Sequence, residues 1–248
     1  MTPICFIHGF LENKGMWLAF EERISSQRDC ISFDLPGHGE NTRADAGEMK
    51  DYVQFVYNKL NESGIASVIL IGHSMGGYVA SAFAKKHPEM IAGLILFHST
   101  AGADSVEKKL NRDKAIRLAA ENQKAYCGTM IRGLFAESAV EDREELISRL
   151  TDDACKMNPQ AIVSSLECMK NREDTIASLE HRTFPLAYIL GDEDAHLPLE
   201  KMNREVELTK PESLETIDNC GHMSQWEYPE KSLRAIEESL KQFDLIST

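Results

Sequence analysis

The stretch VILIGHSMGGYVASAFAKKHP, Val68 to Pro88, sets a serine between glycines where an apolar run gives way to a helical pattern. The run up to Gly72 reads as a buried strand, and the spacing after Ser74 reads as an amphipathic helix ended near Pro88. Gly72-His73-Ser74-Met75-Gly76 fits G-x-S-x-G, a pattern that arises by chance in about one chain in ten of this size. The strand-turn-helix setting gives it meaning. Such a sharp turn holds the serine backbone in a strained conformation and lifts its Oγ clear of the sheet. Glycines flank it because a Cβ at those positions would strike the neighbouring strand and helix. The helix N-terminus favours negative charge arriving beside the serine. The alternative is an ordinary small-residue turn, so Ser74 needs partners elsewhere in the chain.

The same rhythm extends outward in both directions. ICFI (Ile4–Ile7) reads as a strand ending in HGF, and CISFDL (Cys30–Leu35) as a second, closed by PGHG. Tyr52, Val53, Phe55, Val56 and Leu60 mark one helical face, with Gly64 as its stop. IAGLILFHS and PLAYILG are further strands, SLETIDNCGH holds a weaker sixth, and YPEKSLRAIEESLKQF is a closing helix with Pro229 near its start. Strands alternating with amphipathic stretches predict a mostly parallel sheet covered by helices, an α/β fold of about six strands. The rhythm breaks between FHSTAGAD and HRTFPLAYILG. That stretch reads as helices at roughly 105–122, 123–135, 141–155 and 159–172. We expect a core formed by 1–102 and 184–248, with 103–183 as a helical cap. Ligands bind at the carboxyl ends of the strands in such sheets, so an insertion leaving that edge would cover the site. Met130, Leu134, Phe135, Met157, Ile162 and Met169 face either the pocket or one another; helical apolar spacing favours packing.

Composition narrows the function. The 248 residues allow one large domain or one domain with an insertion. A net charge of −13 argues against broad nucleic-acid binding, which needs Lys and Arg to neutralise phosphates. No apolar run approaches the ~20 residues that cross a bilayer, and MTPICFIHGF lacks the regions of a signal peptide. Cys5, Cys30, Cys127, Cys155, Cys168 and Cys220 form no CxxC pair or metal-like cluster. They fit small buried groups in a reducing cytoplasm. We expect a cytoplasmic protein that binds a small molecule, with no membrane partner, metal or cofactor.

A serine nucleophile needs a base, and the base an orienting acid; in this fold class they follow in the order Ser, Asp/Glu, His. Asp192, Glu193 and Asp194 stand just after a strand, and His222 stands in the loop before the last helix. His73 adjoins the nucleophile, so its side chain points elsewhere on the turn. His8 belongs to the HG turn, His196 lies near the acid, and His98 ends a central strand. These four are candidate pocket residues. His38, His87 and His181 read as surface or satisfied core groups. The Met75 amide is one oxyanion donor, and the loop after the first strand offers a second at Phe10.

Together these stretches resemble the α/β-hydrolase superfamily. FIHGF is similar to its oxyanion loop, FDLPGHGEN to the loop after the next strand, and IGHSMGG to the nucleophile elbow. GDEDAHLP is similar to the acid loop and GHMSQWEYPE to the histidine loop. In that family the third residue after the glycine is the acid, so the resemblance favours Asp194 over Asp192. Members usually carry two strands before the HG strand, which this chain lacks, so the sheet should be shorter on that edge and open to pairing as a homodimer. A serine at the elbow excludes the chemistry of relatives with aspartate there, such as haloalkane dehalogenases and epoxide hydrolases.

The resemblance implies a cofactor-independent serine hydrolase, carboxylesterase-like, with a Ser74–His222–Asp194 triad and an acyl-enzyme. Relatives also perform C–C hydrolysis, acyl transfer and a lyase step of menaquinone biosynthesis with the same fold. A non-catalytic receptor on this scaffold is the third alternative.

Overall fold

Six short runs, most of them apolar, pair into one sheet. The computed structural model describes residues 1–43 and 46–246. The strands are β1 (Ile4–Ile7), β2 (Cys30–Ser32), β3 (Val68–His73), β4 (Ile91–Phe97), β5 (Leu186–Gly191) and β6 (Ser213–Ile217). They lie in the order β2-β1-β3-β4-β5-β6, and every pairing is parallel. Parallel neighbours require crossovers, and helices supply them: α1 (Leu18–Ile24), α2 (Met49–Glu62), α3 (Met75–Lys86), α4 (Val106–Glu121), α5 (Gln123–Arg132), α6 (Glu144–Ala154), α7 (Pro159–Asn171), α8 (Ile176–Glu180) and α9 (Leu199–Thr209); α10 (Ser224–Glu227) and α11 (Pro229–Ile246) follow the last strand. None of the described helices is long and apolar enough to cross a membrane.

Side chains alternate between two cores because successive Cβ atoms point to opposite faces. Phe6, Ile71 and Phe97 pack with Trp17 of the turn before α1 and with Ile236 and Phe243 of α11. Cys5, Leu70 and Leu96 pack on the other face with α2, α3 and the helices between β4 and β5. Four cysteines are buried and two, Cys30 and Cys155, half-buried; all are free thiols.

The second strand is shorter than its apolar run. Pairing stops at Ser32, because Asp34 turns the chain away by accepting from the amides of Lys14 (2.8 Å) and Glu40 (2.9 Å). In the helical stretch, α4, α5 and α7 start within a residue of their expected positions, and α5 ends three residues early. Helix α6 begins at Glu144 because tight 3₁₀ turns occupy Glu137–Ala139 and Glu141–Arg143. Helices α1, α8 and α10 are short, of seven, five and four residues, and α9 is a further amphipathic helix beyond those expected from the sequence. Ser105 and Asn158 cap α4 and α7, while Asn122 ends α4 and caps α5.

The two ends of this stretch are tied together. Thr175 donates its amide to Ala101 O (2.9 Å), and Arg172 donates to Gly102 O (2.7 Å) and Asp104 Oδ1 (2.7 Å). Arg112 donates to the other Asp104 oxygen (3.1 Å). Burial pushes the Asp104 carboxyl up, but Arg172 and Arg112 outweigh it and hold it below its ordinary range. The register Ile7–Gly72, His73–Phe97, Phe97–Ile189 and Gly191–Ile217 brings all the strand ends to one edge. The next residues of β1, β3, β4 and β5 therefore emerge side by side.

Candidate active site

Ser74 sits where the chain leaves β3 for α3. Its amide donates to Phe97 O (3.0 Å), and its carbonyl accepts from Gly77 N (2.9 Å) and Ser99 Oγ (2.7 Å). These bonds hold it at φ 50°, ψ −114°, a conformation that L-residues rarely adopt. The flanking glycines have a steric reason. A Cβ at Gly72 would overlap Gly76 O, and one at Gly76 would overlap the carbonyls of Ile7 and His8. The strained corner leaves Ser74 half-buried at the helix N-terminus, with its hydroxyl unbonded among the described residues.

The acid and the imidazole meet above the ends of β5 and β6. Asp194 Oδ1 accepts from the amides of His196 and Leu197, both at 2.9 Å. Its Oδ2 accepts from His222 Nδ1 at 2.6 Å. Burial raises this carboxyl, but the His222 and His98 rings outweigh it and hold it well below its ordinary range. The neighbouring acids are engaged elsewhere: Asp192 accepts from Cys220 N (3.2 Å) and Glu193 from Ser138 Oγ (3.2 Å).

His222 is pinned through its main chain. Its amide donates to Leu134 O (2.7 Å), and its carbonyl accepts from His73 Nε2 (2.9 Å). Glu227 braces the loop by accepting from the amides of Gly221 (3.1 Å) and Ala136 (3.1 Å). With Nδ1–H given to Asp194, the Nε2 lone pair is left to take a proton. Burial pushes the imidazole down to about 4, against the pull of Asp194. Among the described residues no hydrogen bond joins Ser74 Oγ to His222; such catalytic contacts are commonly loose without substrate.

Of the four histidines expected at the pocket, three do not line one. His8, His73 and His98 are at most 1% exposed, so no water-sized space touches them appreciably. His8 donates Nδ1–H to Gly9 O (2.8 Å) and accepts Leu35 N–H (2.9 Å), a neutral ring locking the HG turn. His73 is held between Glu12 Oε2 (2.6 Å) and His222 O. His98 lies against Asp194, with Nδ1 3.4 Å from Oδ2, and its Nε2 accepts from Ser224 Oγ (2.7 Å). His196 does line a cleft, of about 700 Å³, between the α4–α5 segment and the acid loop. Its ring centroid lies 5.7 Å from that of His222. Ser74 is not among the residues that line this cleft.

Phe10 and Met75 are buried, and neither amide has an acceptor among the described residues. Of the apolar residues 103–183 that could have faced a pocket, Met130 lines the cleft, whereas Leu134, Phe135, Met157, Ile162 and Met169 are packed inside. The His98, Asp194 and His222 ligand atoms lie within 4.8 Å of one another, as a metal site would require. The 2.6 Å Nδ1–Oδ2 contact is a hydrogen bond and leaves no room for an ion between those two atoms. Sequence reading missed Glu12, Gln225 and Glu227. Glu12 follows the apolar pair Phe10-Leu11 and precedes Asn13 and Lys14, where an acid reads as an ordinary loop residue.

A family model described as the alpha/beta hydrolase fold matches residues 2–151. The chain belongs to the α/β-hydrolase family. Among solved α/β-hydrolase structures, a thermophilic esterase from Thermogutta terrifontis, with malate bound, superposes with a TM-score of 0.90 at 30% identity. That match covers 98% of this chain and 90% of the esterase. The dihydrolipoyllysine-residue acetyltransferase component of the acetoin cleaving system of Pseudomonas putida is 29% identical over 238 residues. The match takes in 93% of this chain, which spans only 61% of that relative's length. A 2-hydroxy-6-oxononadienedioate/2-hydroxy-6-oxononatrienedioate hydrolase of Burkholderia vietnamiensis is 23% identical over 262 residues, covering 96% of this chain and 86% of its own. Mammalian (lyso)-N-acylphosphatidylethanolamine lipases match over 100 residues, so the chain spans 29% of their length.

Proposed function

We propose that this α/β-hydrolase is a cofactor-independent carboxylesterase-like enzyme that works through Ser74, His222 and Asp194. The observation that carries the reading is the 2.6 Å Asp194–His222 contact beside a serine held at positive φ. His222 Nε2 takes the Ser74 proton as Oγ attacks the ester carbonyl. The amides of Phe10 and Met75 receive the oxyanion, and His222 returns the proton to the leaving alcohol. Water, activated by the same imidazole, then releases the acid. Residues 103–183 act as a cap over a core of 1–102 and 184–248, and the cleft beside His196 admits substrate. The Thermogutta relative, an esterase of nearly the same length, supports the ester reading.

A second reading keeps the three residues and changes the bond broken. The cleft is lined by five cations, Lys108 and Arg112 among them, against three carboxylates, in a chain of net charge −13. That balance suits an acidic substrate. It fits C–C hydrolysis of an acidic compound, the Burkholderia relative being named as a hydrolase of a dioate, and it fits a lyase or acyl-transfer step on an anionic acyl compound. p-Nitrophenyl esters of graded acyl length, with and without a terminal carboxylate, separate the readings. Turnover lost in Ser74→Ala supports the nucleophile. Turnover equal to the unsubstituted chain in pure Ser74→Ala discards the mechanism. No turnover of any ester, with a 2-hydroxy-6-oxo dienoate cleaved, moves the assignment to the second reading.

A further inference from the structure

We propose that Glu12 and His73 form a buried carboxylate–imidazolium pair that holds the main chain of His222, making them positioning residues for the base. The inference rests on the Ser74–His222–Asp194 reading above.

Hydrogen-bond bookkeeping at the His73 ring carries it. Nδ1 faces Glu12 Oε2 at 2.6 Å, and Nε2 faces the His222 carbonyl oxygen at 2.9 Å. The His222 carbonyl oxygen only accepts, an ionised Glu12 Oε2 only accepts, and a neutral imidazole has a single N–H. The doubly protonated ring is the one form that donates to both. Glu12 is arranged as an anion in turn. Besides His73 it accepts from Gly9 N (3.0 Å) and Gln225 Nε2 (3.0 Å). The side chains are 1% and 4% exposed. Burial resists the charge on His73, but the Glu12 carboxylate outweighs it and raises the ring above its ordinary range.

A buried ion pair is a poor device for stability alone, because desolvation offsets its attraction. What this one supplies is connection. Glu12 stands two residues beyond Phe10, His73 adjoins Ser74, and Gln225 follows His222 in the histidine loop. One network therefore joins the loop that carries an oxyanion amide, the nucleophile's turn and the base. His222 is fixed at both main-chain ends, by Leu134 O on its amide and His73 on its carbonyl. Gly9 has to be glycine for this approach, since a Cβ there would overlap Glu12 Oε2 and lie 2.7 Å from His73 Nδ1.

The pair also sets a charge beside the base. The His73 and His222 ring centroids are 5.2 Å apart. The other titratable groups facing His222 are Asp194, His98 and His196; those facing His73, besides Glu12 and His222, are His8, His98 and Asp194. An imidazolium at His73 opposes protonation of His222.

Glu12→Gln tests this with little change of shape. Gln225 Oε1 has no partner among the described residues, so its amide can turn over to accept from the new side chain. We expect kcat for a p-nitrophenyl ester to fall about ten- to a hundredfold with KM unchanged, the scale of a displaced catalytic group. The acid limb of kcat/KM moves to higher pH, because an uncharged His73 no longer opposes the proton on His222; lost packing alone would not move it. Ser74→Ala is run alongside. Turnover retained there overturns the hydrolase reading itself. Ser74→Ala silent, with wild-type kcat and an unmoved limb in Glu12→Gln, overturns the positioning pair alone. Should Glu12→Gln not fold, ¹⁵N-histidine spectra of the unsubstituted chain decide. His73 with both ring nitrogens protonated at neutral pH supports the pair, and a singly protonated ring overturns it.

Discussion

Replacing Ser74 by alanine and, separately, by glycine divides the chemistry of this position from its backbone strain. At φ 50°, ψ −114° the residue occupies a region in which a Cβ is crowded. Holding a non-glycine residue in such a region costs about 1–3 kcal/mol. The hydroxyl makes no hydrogen bond among the described residues, so its removal contributes little either way. Alanine keeps the Cβ and the strain. Glycine releases the strain but gives the unfolded chain extra freedom, offsetting about 0.5–1 kcal/mol. The glycine variant should therefore exceed the alanine variant in stability by about 0.5–2 kcal/mol. In a chain of this length that is a Tm higher by about 2–4 °C per kcal/mol. Thermal melts of the two variants in one buffer, followed by circular dichroism, measure the difference directly, and neither variant should turn over an ester. A glycine variant that melts at or below the alanine variant would refute the strain argument. The corner would then be shaped by its surroundings at no energetic cost.

Two more expectations follow from the acid and the base. Asp194→Asn should lower kcat by about 10⁴-fold, since the amide favours the wrong His222 tautomer. Asp192→Asn, whose carboxylate among the described residues serves Cys220 N alone, should leave kcat nearly unchanged, and steady-state kinetics of the pair checks both. The pH dependence of kcat/KM should be level near neutrality and fall by half near pH 4, because burial keeps His222 uncharged until then and only the uncharged ring accepts a proton. The same shift bears on stability. An unfolded chain protonates this histidine near pH ~6.5, so the folded state loses about 3 kcal/mol as pH falls from there through 4. Urea titrations at several acidic pH values measure that slope.

Much of the architecture is legible in local pattern. Apolar runs such as VILIG and AYILG mark the strands buried on both faces, and the 3.6-residue spacing after Met49 and Met75 marks helices. The run from Cys30 to Leu35 shows the limit. The chain from Phe33 to Leu35 is as apolar as a strand, yet it leaves the sheet because Asp34 captures two amides that the run itself does not contain.

The candidate site divides along the same line. The sequence by itself determined the candidate nucleophile: Ser74 is read from residues within one strand-turn-helix unit, where periodicity and glycine spacing are local properties. It also limited the candidate acid to Asp192, Glu193 or Asp194 and the candidate base to His222, from position after a strand and before the last helix. The family resemblance favours Asp194 among these, and the tertiary structure shows it as the carboxylate in contact with His222. The tertiary structure also shows that His73 and His98 are buried, His73 against Glu12 and His98 against Asp194. Those outcomes depend on which side chains meet across the carboxyl edge of a parallel sheet. The contacts join residues 28, 61, 96 and 149 positions apart, a separation at which local pattern carries no record of who faces whom.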